Sequence, residues 1–140
     1  MTVMETWVHG DAGTHETPLV AEGRDWTSAC SRSHLLPGRG VAVLLRGGTQ
    51  AALFELADGS LRAVGNIDPF GRAAVMSRGL VGDRHGEPTV ASPLLKQVFS
   101  LLDGRCLDDE SVRLPVYPVR VVAGRSDDVV QVCAIAVESP

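Results

Sequence analysis

Two polar residues stand directly before prolines: Asp68 in Asn66-Ile67-Asp68-Pro69-Phe70 and Ser92 in Ala91-Ser92-Pro93-Leu94-Leu95-Lys96-Gln97. Their oxygens suit loop closure better than catalysis. An Asp side chain accepts hydrogen bonds from backbone N–H groups two residues on, and the proline sets the turn that brings them within reach. A hydroxyl at Ser92 can hold a facing loop, at a net ~0.5–1.5 kcal/mol for one hydrogen bond. A nucleophilic serine needs a neighbouring base, and none is indicated. Metal chemistry would have to draw on His9, His15, His34 and His85 and on Cys30, Cys106 and Cys133, which are widely dispersed. There is no Cys-x-x-Cys and no histidine at zinc-site spacing, and an odd cysteine number does not make a disulfide framework. Ordinary reduced thiols are expected.

The charged residues in and beside these stretches are Arg78, Asp83, Arg84, His85 and Lys96. Arg78, Arg84, His85 and Lys96 are the candidates for contact with a partner. Arg78 ranks first, because a guanidinium in a glycine-flanked loop can grip a carboxylate with two hydrogen bonds whereas a lysine offers a point charge. Gly79, Gly82 and Gly86 read as residues that permit turn dihedrals. No Lys-Ser/Thr pair follows them, so they do not form a phosphate-cradling P-loop.

The elements that position these residues are short. Residues 1–25, rich in Thr, Glu, Gly and His without an apolar period, read as a flexible extension, and a folded domain is expected over 26–138. Within it, β-branched and apolar runs are broken by Gly, Pro, Asp and Asn, the pattern of an all-β sandwich or small barrel. Gly47-Gly48-Thr49 joins strands over Gly40–Arg46 and Gln50–Leu56, and Asp58-Gly59 turns the chain into Leu61–Gly65. Residues 66–87 read as one long loop with a helical turn around Ala73–Ser77, and a loop of that length is often functional. Later strands are expected over Pro88–Ala91, Gln97–Leu101, Tyr117–Ala123 and Val129–Val137. The last of these is apolar on both faces and therefore central.

Composition narrows the class further. The chain has 140 residues, 44% apolar and 21% charged, with a net charge of −4. One core is expected, and neither nucleic acid nor a membrane surface is favoured as partner. No apolar run approaches the ~20 residues of a membrane span, and Met1–Asp25 lacks the apolar stretch of a signal peptide. A cytoplasmic location is expected.

The order of hairpin, meander strand, Asn-x-x-Pro, long insert, x-Pro-x-x-Lys-Gln-x-Phe-x-Leu-x-x-Gly and Tyr-Pro-Val-Arg-Val resembles Rieske-type ferredoxin domains over nearly all of residues 26–137. Four strings, Asn66–Phe70, Ser77–Gly82, Ala91–Gln97 and Phe99–Leu107, resemble the small subunits of assimilatory NAD(P)H nitrite reductase. The resemblance implies an all-β, antiparallel Rieske-like sandwich or barrel with a loop-rich ligand subdomain. Rieske loops hold a [2Fe–2S] cluster with two cysteines and two histidines. The matching positions here are Asp68, Phe70, Ser92 and Leu95, set 24 residues apart from first loop to second.

The resemblance further implies a partner, the nitrite reductase large subunit, which binds FAD, NAD(P)H, a [4Fe–4S] cluster and sirohaem and reduces nitrite to ammonium. It implies no metal, no cofactor and no catalytic residue in this chain. Phe70 and Leu95 are expected to pack against each other as an apolar plug where imidazoles would emerge, at roughly 1.5–3 kcal/mol per side chain. The alternative is a small Rieske-type electron-transfer protein with a non-standard metal site, such as Asp68, His85 and a cysteine. The ferredoxin component of an aromatic-ring oxygenase would need an intact cluster.

Overall fold

The structure is a computed structural model that describes residues 23–137. Of the extension expected over 1–25, residues 1–22 lie outside the described residues. Ten strands occur in the described chain: β1 (Trp26–Ser31), β2 (Gly40–Leu44), β3 (Gln50–Glu55), β4 (Leu61–Gly65), β5 (Leu80–Arg84), β6 (Glu87–Ala91), β7 (Val98–Ser100), β8 (Val116–Tyr117), β9 (Val119–Val122) and β10 (Val129–Cys133). They form three sheets, ordered β1-β10-β9, β2-β3-β4-β8 and β5-β6-β7, and every strand pair is antiparallel. The all-β antiparallel expectation is met. No helix among the described residues is long and apolar enough to cross a membrane.

The middle sheet is buried on both faces because β3 is apolar at every inner position. Ala51 and Leu53 join Val43, Leu45, Val130 and Val132 in one core, while Ala52 and Phe54 join Met76, Val90, Phe99 and Leu101 in the other. The period of two along a strand sends successive side chains to opposite layers. Ala63 and Val64 of β4 divide in the same way. The second core is the floor of the loop-bearing sheet β5-β6-β7, so the loops rest on packed side chains.

The hairpin-and-meander reading of β2, β3 and β4 holds, and β10 lies between β1 and β9 as its two apolar faces suggest. Three expectations need correction. The single core expected is two apolar clusters, one on each face of the middle sheet. The 66–87 stretch is not one loop: Leu80–Arg84 is a strand, joined to β6 by His85-Gly86 with φ of 55° and 87°. Positive φ at both central residues is the signature of a type I′ hairpin turn. The strand escapes sequence reading because it is exposed at four of its five positions and so has no apolar alternation. Tyr117–Ala123 is also not one strand. Pro118 interrupts it, and Tyr117 pairs with Ala63 while Val119–Val122 pair with β10. Proline lacks a ladder N–H, so it serves where the chain changes sheets.

Candidate functional site: two paired loops

The first loop leaves β4 at Gly65 and reaches a 3-10 turn at Met76–Arg78, and the second links β6 to β7. Both are folded by one hydrogen-bond scheme. The Asp68 N–H donates to the Ala73 carbonyl at 2.8 Å and the Ser92 N–H to the Gln97 carbonyl at 2.9 Å. Four residues on, the N–H of Arg72 returns to the Asp68 carbonyl at 2.6 Å, and that of Lys96 to the Ser92 carbonyl at 3.0 Å. Two residues on, the Phe70 N–H donates to Asp68 Oδ1 at 2.8 Å and the Leu94 N–H to Ser92 Oγ at 3.2 Å. The Asp-Pro and Ser-Pro pairs start matching turns, as their side-chain chemistry predicts.

A direct bond closes one loop on the other. The Ser92 hydroxyl donates to Asp68 Oδ2 at 2.5 Å, and both residues are buried. Asp68 Oδ1 also accepts the Gly71 N–H at 3.2 Å, so the carboxylate holds three donors from two loops. Asn66 ties the first loop to its surroundings: its Oδ1 accepts the Ser77 N–H at 2.8 Å and its amide nitrogen donates to Gln50 Oε1 at 3.0 Å. Sequence reading used Asn66 only as part of a motif; an Asn two residues before an Asp-Pro turn is the signal it overlooked.

The apolar closure differs from the expected plug. Phe70 is half-buried and faces Phe99, with ring centroids 6.2 Å apart and planes at 43°. Leu95 is 56% exposed. In the shared scheme Leu94 stands where Phe70 does, and Leu95 matches the exposed Gly71, so Leu95 turns outward. Replacing Phe70 by Ala is expected to lower stability by about 1–2 kcal/mol in chemical denaturation, less than a fully buried Phe would lose.

The four positions do not fit a [2Fe–2S] cluster. Phe70 and Leu95 carry no donor atom, and the oxygens of Asp68 and Ser92 are engaged with each other and with loop N–H groups. Among the described residues no three His, Cys, Asp or Glu side chains gather to hold a metal ion. Asp68 is buried between the loops, whereas His85 is at the β5–β6 turn, the end of the hairpin away from the Leu80–Ala91 pair that adjoins Ser92. Burial pushes the Cys30 and Cys133 thiols up, away from the thiolate that binds metals.

The partner-contact candidates separate into two groups. Lys96 is on the second loop, and Arg78 follows the first. Arg84 and His85 lie at the far end of the hairpin: Leu80 pairs with Ala91 beside the loops, and Arg84 is four residues further along, roughly 13 Å at strand spacing. The sequence reading missed Arg72, which matches Lys96. Both have left-handed backbones, with φ of 61° and 62°. For a residue with a Cβ this conformation costs ~1–2 kcal/mol, against ~0.5–1 for the extra entropy of glycine. Lys96→Gly is therefore expected to raise stability by about 0.5–1 kcal/mol in thermal melting. Beside these cations lie four exposed apolar side chains, Ile67 at 45%, Leu80 at 77%, Leu94 at 46% and Leu95 at 56%. Ile67 precedes Asp68, and Leu80 pairs with the residue before Ser92. Exposed apolar side chains alongside cations are a combination that protein interfaces use.

The fold and its paired loops define a Rieske-like domain: the family described as Rieske-like [2Fe-2S] domain matches residues 25–132. The ferredoxin bound to the oxygenase of carbazole 1,9a-dioxygenase, 22% identical with a TM-score of 0.67, shares the fold. A structure from Mycobacterium tuberculosis bearing the name of an NADH-dependent nitrite reductase small subunit is 60% identical, with a TM-score of 0.73, over 80% of this chain and 96% of that one. The nitrite reductase (NADH) small subunit of Salmonella typhimurium is 45% identical over 71% of this chain and 92% of its own length. This chain belongs to the family of nitrite reductase small subunits. A nitrite reductase [NAD(P)H] large subunit from Klebsiella oxytoca contains a similar segment, 38% identical over 77% of this chain but only 12% of that protein.

Proposed function

We propose that this chain is a non-catalytic accessory subunit of an assimilatory NAD(P)H nitrite reductase, that it lacks a [2Fe–2S] cluster, and that it binds the large subunit through the tip of its two loops. The observation that carries this reading is the Asp68–Ser92 bond, which ties the loops at the positions where cluster ligands would stand. The tip beyond it offers an apolar patch and the cations Arg72 and Lys96. The Klebsiella oxytoca relative supports the pairing, since there a segment like this chain is part of a protein named as a large subunit. In this reading FAD, the [4Fe–4S] cluster and sirohaem belong to the large subunit, in the cytoplasm, and nitrite is reduced there. The small subunit supplies contacts and no redox group. Purification of the large subunit from cells that co-express both chains tests the proposal. The chain is expected to co-purify and, once separated, to show no visible absorbance and no stoichiometric iron. Failure to co-purify, or a bound iron cluster, overturns it.

A further inference from the structure

Away from the loop tip, Arg39 and Arg78 line one cleft of about 280 Å³ together with Gly38, Gly40, Ser77 and Gly79. No carboxylate lines it, and neither guanidinium is paired with any described residue. The cleft is rigidly framed. A Cβ on Gly40 would lie 2.3 Å from the Ser77 carbonyl oxygen, and one on Gly79 2.6 Å from that of Ala91, so backbone packs on backbone behind the two arginines. Ser77 is further fixed by its N–H bond to Asn66 Oδ1 at 2.8 Å. Both arginines are exposed, so each guanidinium is free to turn into the cleft and meet an anion there. The cleft, at about 280 Å³, has room for an amino-acid side chain. Gly38 also borders a larger cleft of about 490 Å³ in which Pro37, Leu56, Val81 and Pro88 form the apolar lining and Asp58 and Asp83 add two carboxylates, so the acidic end of a bound segment belongs on the arginine side.

We propose that the Arg39–Arg78 cleft takes a carboxylate side chain from an extended segment of the large subunit, with a neighbouring apolar residue of that segment in the adjoining cleft. This rests on the reading of the chain as that enzyme's accessory subunit, and makes a contact separate from the loop tip. Guanidinium pairs bind carboxylates by parallel hydrogen bonds, which lysine cannot reproduce.

The test measures affinity between the full chain and the cofactor-loaded large subunit at low and high salt. Arg39→Gln with Arg78→Gln is expected to weaken binding tenfold or more at low salt, with the gap narrowing at high salt and the melting temperature unchanged. Arg39→Lys with Arg78→Lys is expected to restore affinity only in part. Wild-type binding with no loss in the glutamine variant overturns the cleft assignment alone. No binding by the wild type overturns the subunit reading, and the cleft is then decided by NMR of the arginine Nε–H groups in the full chain. N-acetylglutamate is expected to shift the Arg39 and Arg78 signals. A response to sodium nitrite alone, or to neither, contradicts the carboxylate site.

Discussion

Asp68→Ala is expected to lower the unfolding free energy by about 3–5 kcal/mol, because one buried carboxylate satisfies three donors and hydrogen bonds to a charged group are worth ~1.5–3 kcal/mol each before non-additivity. Alanine leaves the half-buried Phe70 N–H and the buried Ser92 hydroxyl without that acceptor, while the exposed Gly71 N–H can turn to water, and buried unpaired donors are among the few causes of large single-site losses. In a domain of this size the loss corresponds to a fall in melting temperature of roughly 10–20 °C. Asp68→Asn separates acceptor loss from charge loss. It keeps Oδ1 for the two backbone donors, and the Ser92 hydroxyl can rotate to accept from the amide, so a loss of about 1–2 kcal/mol is expected. Ser92→Ala should fall in the same range, leaving Asp68 one donor short and the Leu94 N–H unpaired. An Asp68→Ala protein that melts within a few degrees of wild type would show that the clamp does not hold the loops.

The second large effect concerns binding. Leu95→Asp combined with Lys96→Glu is expected to weaken association with the large subunit by at least a hundredfold, or about 2.7 kcal/mol. Truncating apolar anchors at an interface centre commonly removes 2 kcal/mol or more, and reversing a neighbouring cation adds repulsion from any acidic partner surface. Both residues are exposed, so the melting temperature should hold steady, which separates lost contact from lost folding. Surface-immobilised large subunit and graded concentrations of each variant give the comparison. Equal affinities for variant and wild type would move the docking surface elsewhere on the chain.

Much of the architecture was legible in the sequence where physical signals were local. Gly47-Gly48 and Asp58-Gly59 marked turns between β2, β3 and β4, and the two apolar faces of the run from Val129 marked a central strand. The strand Leu80–Arg84 was not legible, since an exposed edge strand carries no apolar period and His85-Gly86 is an unusual pair for a type I′ turn. The loop positions Asp68, Phe70, Ser92 and Leu95 were legible only through the resemblance to Rieske ligand loops, whereas the turn-forming use of Asp68 and Ser92 followed from their side chains and the prolines after them. Their direct bond and the outward turn of Leu95 depend on how two loops 24 residues apart meet, which no local pattern encodes. Arg72 and Lys96 likewise share a left-handed backbone that becomes visible only when the loops are compared atom by atom.

In the proposed reading a Rieske-like scaffold holds its loops with a carboxylate–hydroxyl bond and docks on a partner through them. Native mass spectrometry of the co-expressed complex reads both halves at once. The expected result is a complex of large and small subunits from which the small chain is released at the mass of its bare polypeptide. A small chain that never appears in the complex would rule out docking, and one that leaves it carrying iron and sulfide would rule out a cluster-free scaffold.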